Sequence, residues 1–294
     1  MTAHAGSAVR SEVRRGPDGD ILVLTIDNPP VNASSAAVRA GLLAGIGRLA
    51  TDPGLVAGVL VGAHGTFVSG SDISEFDGPV PEPLLPTVIA ALESCPSPVV
   101  AALGGHALGG GLELALGCDR RIGSPTLLLG MPEVGLGLVP GAGGTQRLPR
   151  LIGREAAVSL ILTGRRISAA EALALGLLDE VTEADLVEAA VAAAPGTPKR
   201  LVAHLPVPTA DDVAFEAAVA HGHRVAQHRP NAVEAADLVR LAGTAPVADV
   251  ADSAKQRSIN VSSGGVETSS GGPFGPGSGV EQETAGRRSH IARA

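Results

Sequence analysis

The sequence is poor in aromatic residues and in lysine. Its 294 residues include four Phe, no Trp and no Tyr. Proteins that stack nucleic-acid bases, enclose methyl-lysine or bind proline-rich peptides make those contacts with aromatic rings, so these classes are excluded. Lysine occurs only at Lys199 and Lys255, and neither residue lies in a motif typical of a Schiff-base enzyme.

Positive charge and thiols are scarce as well. The chain has 22 basic and 30 acidic residues. The resulting formal net charge of −8 is the wrong sign for binding nucleic acid through its phosphates. The only cysteines are Cys95 and Cys118, and no Cys/His spacing resembles a zinc site. We therefore expect neither a nucleic-acid partner nor a metal.

Long apolar runs are also missing. No uncharged apolar stretch reaches the about 18 residues of a membrane span, and residues 1–15 lack the apolar core of a secretory signal. Residues 292–294 do not resemble a peroxisomal Ser-Lys-Leu address. The sequence therefore predicts a protein without a membrane partner that is located in the cytoplasm.

Hydrophobic patterns in the first part of the chain predict strands that alternate with helices. A hairpin is predicted over residues 9–27, and Ser34 or Ser35 is expected to cap a helix that ends near Leu49. A strand, a helix and a second strand are then predicted over residues 55–61, 84–93 and 98–103. This alternation is typical of an α/β domain built from crossover units.

Helical patterns predominate from about Arg154 onward. Ser168 and Glu171 form the start of a capping box. Further helices are predicted over residues 186–194, 210–227 and 232–242.

Near the end of the sequence, Ser, Gly, Thr and Pro dominate, and a segment of this composition does not bury enough apolar surface to offset the entropy lost when it becomes ordered. The predicted domains are a core with the active site over residues 1–195, a helical C-terminal subdomain over 196–252 and a flexible Gly/Ser-rich tail over 253–294.

Two glycine-rich segments carry the residues best suited to catalysis. In the first segment, Gly109, Gly110 and Gly111 follow a predicted strand and precede an amphipathic helix. Unobstructed backbone N–H groups at the positive end of a helix suit an oxyanion. Glu113 lies in the first turn of this helix, where it is either a functional carboxylate or a surface residue that interacts with the helix dipole.

The second segment contains one carboxylate in apolar surroundings. Glu133 is the only ionisable residue between Arg121 and Arg147. Desolvation of such a carboxyl group raises its pKa toward values useful in acid–base chemistry. Together with Glu113 it can flank a substrate as one of a pair of catalytic carboxylates, although a separation of twenty residues does not establish their distance.

These segments resemble the crotonase superfamily, and specifically the enoyl-CoA hydratases. The matching motifs are GGGLELA at 109–115, PEV at 132–134 and PGAGGTQRL at 140–148. Three further segments, at 28–33, 67–73 and 162–172, follow in the expected order, and the PPVNA opening is most similar to the hydratase domain of multifunctional β-oxidation enzymes. The resemblance implies an α/β fold with a crotonase-like ββα spiral core and a C-terminal helical subdomain.

The resemblance also implies a role for each matching residue. The thioester oxygen of an acyl-CoA would lie in an oxyanion hole between the backbone N–H groups of Ser71 and Gly110. Glu113 would deprotonate a water that the N–H of Gly141 helps to hold, and Glu133 would deliver a proton to the α-carbon. The remaining substrate-binding positions implied by the motifs are Val31, Ala33, Gly70, Asp72, Ile73 and Gly109.

Three functions are compatible with these residues. The first is reversible hydration of trans-2-enoyl-CoA to 3-hydroxyacyl-CoA, the second is Δ3/Δ2-enoyl-CoA isomerisation, and the third is acyl-CoA binding without catalysis. Val31 and Ser74 stand where many hydratases have lysines near CoA, so the residues that would neutralise its phosphates are not identified. We expect no cofactor, because CoA is part of the substrate, and a homotrimer or a dimer of trimers as the assembly.

Several individual residues have two interpretations. Asp72 either orients the oxyanion loop or caps the next short helix. Arg147 either contacts CoA or forms a structural ion pair, and the ion pair is favoured. His106 and Cys118 are expected to be packed residues without a catalytic role.

Overall fold

The computed structural model describes residues 8–16, 19–209, 211–244 and 246–247, with the side chains of Phe76 and Asp77 left aside. The predicted tail over residues 253–294 lies outside the described residues. The domain boundaries drawn from the sequence stay predictions.

The described residues contain nine strands and eight α-helices. The strands are β1 (Val9–Gly16), β2 (Gly19–Ile26), β3 (Leu55–Gly62), β4 (Val99–Leu103), β5 (His106–Leu108), β6 (Arg120–Gly123), β7 (Leu128–Gly130), β8 (Arg166–Ser168) and β9 (Glu180–Val181). The helices are α1 (Ala36–Thr51), α2 (Leu85–Ser94), α3 (Gly110–Leu116), α4 (Gly144–Thr163), α5 (Ala169–Ala174), α6 (Leu186–Ala193), α7 (Asp212–Val225) and α8 (Pro230–Arg240).

The larger sheet has six strands in the order β1-β2-β3-β4-β6-β9. Strands β1 and β2 form the predicted antiparallel hairpin, and each of the other strands pairs in parallel with its neighbour. Successive side chains of a strand point to opposite faces. Accordingly, Leu22 and Leu24 of β2 enter one apolar cluster, whereas Ile21 and Val23 enter a second cluster on the other face. Helices therefore cover both faces of this sheet, as in other α/β folds.

The predicted caps of two helices are confirmed. The Ser35 side chain accepts a hydrogen bond from the Val38 N–H at the start of α1, and the Ser168 side chain accepts one from the Glu171 N–H at the start of α5. The apolar stripe of α1, ending at Leu49, is buried against the larger sheet.

A second sheet of three short strands, β5-β7-β8, was not predicted. Each strand has only three residues, which is too few to display a hydrophobic period. Strands β5 and β7 are parallel neighbours, so they end side by side. The chain leaves β5 toward α3 and leaves β7 toward Glu133, which brings the two glycine-rich segments together.

The helical region differs from the prediction in two respects. Helix α4 begins at Gly144, about ten residues before the predicted start, and bends at Gly153, where φ is +78°. Strands β8 and β9 lie within the region predicted to be helical. Helices α7 and α8 pack on α4 and form the predicted C-terminal helical part. Among the described helices, none is both long and apolar enough to cross a membrane.

Candidate active site

The glycine run after β5 allows two other segments to approach closely. Gly109 has φ +51° and ψ −124°, and its N–H donates to the Gly130 carbonyl at 2.9 Å. A Cβ atom at Gly109 would lie 2.7 Å from Glu133 Oε1, and one at Gly111 would lie 2.1 Å from the Val68 carbonyl oxygen. Glycine is therefore required at Gly109 by its positive φ and at Gly111 by the neighbouring backbone, and the Glu133 carboxyl group fills the space that a Cβ atom would need at Gly109.

The residues of the predicted oxyanion hole are neighbours. Ser71 pairs with Ser34 as an isolated bridge, and the loop before it is held by the hydrogen bond from the Leu108 N–H to the Val68 carbonyl. A Cβ atom at Gly110 would lie 3.6 Å from the Ser71 backbone nitrogen and 2.7 Å from its hydroxyl oxygen. Gly110 is the first residue of α3, so its N–H has no acceptor within the helix.

Glu113 is a buried carboxylate, and its interpretation as a surface residue is wrong. Its exposed fraction is 3%. Glu113 Oε1 accepts hydrogen bonds from the Ala142 and Gly144 N–H groups, both at 2.8 Å. Burial raises the pKa of Glu113, while these two N–H groups and then the Arg147 charge oppose that rise. The residue predicted to hold the water, Gly141, immediately precedes the loop that binds Glu113.

Arg147 forms the structural ion pair that was favoured from the sequence. Its Nε and Nη2 atoms each lie 2.8 Å from a carboxylate oxygen of Glu93 on α2. Its Nη1 atom also donates to the Ala142 carbonyl at 3.0 Å. Arg147 therefore fixes the loop whose N–H groups bind Glu113.

Glu133 lies in a different environment from Glu113. It is the first residue of a 3-10 helix over Glu133–Leu136. Its Oε2 atom is buried and has no hydrogen-bond partner within the described part of the chain. Burial, and secondly the negative charge of Glu113, raises the pKa of Glu133 to about 8. Burial thus raises the pKa of both carboxyl groups, and two N–H donors from a neighbouring loop oppose that rise at Glu113 but not at Glu133.

Five of the six predicted substrate-binding positions lie close to Ser34 or Ser71 in the sequence, and the isolated bridge between these two residues joins their segments. Val31 and Ile73 expose apolar side chains, Ile73 to 70%. Asp72 Oδ1 accepts from the Ser74 N–H at 3.1 Å and from its hydroxyl at 2.7 Å, so the predicted helix cap is confirmed. The remaining positions are Ala33, whose carbonyl accepts from the Asn28 side chain, and Gly70, which has φ +128° and whose carbonyl accepts from the Ser34 N–H.

Cys118 is packed as predicted, whereas for His106 the absence of a catalytic role stays a prediction. His106 begins β5, and its side chain is partly buried. Cys118 is fully buried, with its thiol 3.7 Å from the Leu114 carbonyl oxygen.

The sequence did not reveal that α8 contacts the Glu133 turn. The Asn231 side-chain amide donates to the carbonyl groups of Val134 at 3.0 Å and Leu138 at 2.8 Å. The Arg229 guanidinium donates to the Gly135 carbonyl at 2.6 Å. Neither residue belongs to a motif, and almost one hundred residues separate them from the turn, so no local signal identifies them.

A second missed contact supports the loop that follows Ser71. The buried Arg39 side chain of α1 forms an ion pair with Glu75 at 2.9 Å and donates to the Pro81 carbonyl at 2.8 Å. Glu75 in turn accepts a hydrogen bond from the Ala36 N–H at 2.7 Å. These contacts fasten the segment after the predicted oxyanion donor to the start of α1.

The family model for enoyl-CoA hydratase/isomerase matches residues 17–206. The chain is 48% identical over 205 residues to the peroxisomal bifunctional enzyme of Danio rerio, a match that covers 67% of this chain and 29% of that protein. It is 42% identical over 186 residues to a probable enoyl-CoA hydratase of Bacillus subtilis (strain 168), covering 60% of this chain and 72% of that protein. The chain therefore spans less than a third of the bifunctional enzyme.

Solved structures of similar fold include two mycobacterial proteins. Enoyl-CoA hydratase EchA1 from Mycobacterium marinum has a TM-score of 0.60 and 32% identity, over 75% of this chain and 89% of that chain. An enoyl-CoA hydratase from Mycobacterium tuberculosis H37Rv has a TM-score of 0.59 and 31% identity, over 80% of this chain and 90% of that chain. These similarities agree with the predicted ββα spiral core.

Proposed function

Because the chain belongs to the enoyl-CoA hydratase/isomerase family, we propose that it is an enoyl-CoA hydratase. It adds water reversibly across the double bond of trans-2-enoyl-CoA and forms 3-hydroxyacyl-CoA. The substrate is an acyl-CoA thioester, and the chemistry is that of fatty-acid β-oxidation.

The unequal environments of Glu113 and Glu133 carry this proposal. Two N–H donors at 2.8 Å stabilise the anionic form of Glu113, which is the form that a base requires. Burial and the Glu113 charge favour the protonated form of Glu133, which is the form that an acid requires. Burial raises the pKa of both carboxyl groups, but only for Glu113 do the N–H donors of a neighbouring loop oppose the rise, and this difference supports Glu113 as the base and Glu133 as the acid. Isomerisation requires a single carboxylate to move a proton and does not account for the second.

The proposed reaction proceeds through a thioester enolate. Glu113 removes a proton from water, helped by the Gly141 N–H, as the water oxygen bonds to the β-carbon. The electron pair of the double bond forms a new double bond between the α-carbon and the carbonyl carbon, and the carbonyl π pair moves onto the thioester oxygen, which accepts hydrogen bonds from the N–H groups of Ser71 and Gly110. The enolate then collapses as Glu133 gives its proton to the α-carbon. Proton exchange with solvent returns Glu113 to its anionic form and Glu133 to its acidic form.

Backbone donors supply the main stabilisation in this scheme. A preorganised N–H aimed at a developing oxyanion contributes about 3–4 kcal/mol to the transition state. Acid–base assistance adds about 10²–10⁴-fold for a positioned group. The reaction draws on the chain's own residues and on no cofactor, because CoA belongs to the substrate.

The resemblance to enoyl-CoA hydratases supports a homotrimer or a dimer of trimers as the assembly, which sedimentation of the purified chain would test.

The location predicted from the sequence is the cytoplasm. Because several relatives are named as peroxisomal proteins, microscopy of the tagged chain is the test of that prediction.

Kinetics on two substrates test the proposed reaction. Wild type should consume crotonyl-CoA, and Glu133→Gln and Glu113→Ala should each lower its kcat by about 10²–10⁴-fold. An isomerase would instead convert 3-hexenoyl-CoA, and its Glu113→Ala variant would remain active. Binding of crotonyl-CoA to the folded wild type without turnover of either substrate would refute the proposal and favour a non-catalytic acyl-CoA-binding protein.

A further inference from the structure

We infer that Asn231, assisted by Arg229, is a positioning residue for Glu133. This inference rests on the proposed function, because it concerns the proton that Glu133 delivers. Both residues lie at the start of α8, in the C-terminal helical part that contributes no residue to the predicted site.

Backbone hydrogen bonds hold the Glu133 turn internally, from the Gly135 N–H to the Pro132 carbonyl at 3.0 Å and from the Gly137 N–H to the Val134 carbonyl at 3.2 Å. Gly135 and Gly137 flank Leu136, whose side chain is 65% exposed, and a Cβ atom added at either glycine would have no other group within 4 Å. Glycine leaves the backbone more conformational freedom than any other residue. Of the three residues that follow Glu133 in the turn, only Val134 is buried. The position of the turn relative to the rest of the fold is therefore set by the packing of Val134 and by hydrogen bonds from outside the turn.

Asn231 supplies two of those hydrogen bonds. Its amide is buried, with 5% of the residue exposed, and donates to the carbonyl groups of Val134 and Leu138. The Leu138 N–H in turn donates to the carbonyl of Glu133 itself, at 3.0 Å. A short chain of hydrogen bonds thus runs from Asn231 through Leu138 to the backbone of Glu133.

Arg229 complements this arrangement at the turn's end. Its guanidinium donates to the Gly135 carbonyl, which belongs to the negative end of the 3-10 helix. The carboxyl group of Glu133 has an oxygen without a hydrogen-bond partner among the described residues, so its side chain is not held by such a bond there. Its position relative to the α-carbon of a substrate follows from the backbone that Asn231 and Arg229 hold.

The α-proton exchange of butyryl-CoA in D2O isolates the step assigned to Glu133. A saturated thioester cannot be hydrated, so its exchange needs the α-carbon acid–base group and not the water-activating one. In Asn231→Ala, we expect the exchange rate and the kcat for crotonyl-CoA to fall together by about 10–100-fold, the loss typical of a misplaced group. The KM for crotonyl-CoA should stay close to the wild-type value.

Arg154→Met provides the matched control. Arg154 donates to the Ala242 carbonyl at 2.7 Å and fastens the end of α8 to α4, away from the Glu133 turn. This variant should lower the melting temperature while leaving exchange and kcat unchanged. Exchange that is unchanged in Asn231→Ala, or reduced equally in Arg154→Met, would overturn the inference.

Arg229→Met extends the test to an exposed residue, whose replacement is compatible with folding even if Asn231→Ala is not. We expect it to slow exchange without changing KM, and wild-type exchange in this variant would contradict the inference. Failure of the proposed function is a separate result, because wild type itself would then not hydrate crotonyl-CoA, whether or not it exchanges the α-protons of butyryl-CoA.

Discussion

The substitution Gly109→Ala should distinguish the effect of displacing Glu133 on activity from the effect of backbone strain on stability. Gly109 has a positive φ, and a Cβ atom there would lie 2.7 Å from Glu133 Oε1 and 3.2 Å from its Cδ. The methyl group of alanine therefore has two effects. It strains the backbone of the turn, and it pushes the carboxyl group away from its place beside the start of α3.

The two effects have different magnitudes. Holding an L-residue in such a backbone region costs about 1–3 kcal/mol. To reach an ordinary contact of about 3.4 Å, the carboxylate oxygen must move by about 0.7 Å. A misplacement of about 1 Å at a reacting group costs about 10²-fold in rate. We therefore expect the kcat for crotonyl-CoA to fall by about 10–100-fold in Gly109→Ala, with a moderate loss of melting temperature.

Gly176→Ala is the control for backbone strain. Gly176 has φ +80°, and a Cβ atom there would make only an ordinary contact, 3.7 Å from the Leu151 carbonyl oxygen. Both variants should be compared by melting temperature and by steady-state kinetics. A Gly109→Ala enzyme with wild-type kcat, or one whose activity falls no further than that of Gly176→Ala, would refute the assignment of Glu133 as the proton donor.

Three further predictions concern the same site. Because the pKa of Glu133 is raised from its ordinary value of 4.5 to about 8, its protonated form contributes stability below about pH 4.5 that is lost as the pH rises through 8. The melting temperature of Glu133→Gln should therefore exceed that of wild type at about pH 9, and the difference should shrink toward about pH 5. A difference in melting temperature that does not change with pH would contradict this prediction. Ser71→Ala keeps the backbone N–H, so it should retain kcat rather than lose the about 10²-fold that removal of an oxyanion donor costs. Arg147→Met leaves the Glu93 carboxylate without its partner, and denaturant unfolding should show a loss of about 3 kcal/mol together with reduced kcat, because the loop that binds Glu113 is no longer fixed.

Much of the candidate site could be predicted from the sequence because its residues lie in two short segments, and the parallel pairing of β5 and β7 brings these segments together. The predicted site residues around Gly110 and Glu133 follow directly on these strands, in glycine-rich segments that interrupt an apolar background. A single carboxylate among apolar residues can be identified from the sequence alone, and so can a run of three glycines before a helix. The strands themselves were missed, since three residues cannot establish a period.

The hydrogen-bond partners of each glutamate could not be predicted from the local sequence. Only Glu133 was expected to be desolvated, whereas a surface position was left open for Glu113. In the structure Glu113 is bound by N–H groups 29 and 31 residues away, and Glu133 Oε2 has no hydrogen-bond partner among the described residues. This difference supports the roles of base and acid that the resemblance implies for Glu113 and Glu133 in the proposed reaction.

The sequence by itself determined the α/β character, the two caps, the two carboxylates and the glycines that leave room beside them. These features depend on residue type and on spacing within a few positions, where local sterics and hydrogen bonding decide the outcome. The tertiary structure alone decided that Ser71 lies beside Gly110, that Glu133 lies beside Gly109 and that Asn231 holds the Glu133 turn from 97 residues away. Such contacts depend on how strands end side by side and how helices pack, and no periodicity of the chain encodes them.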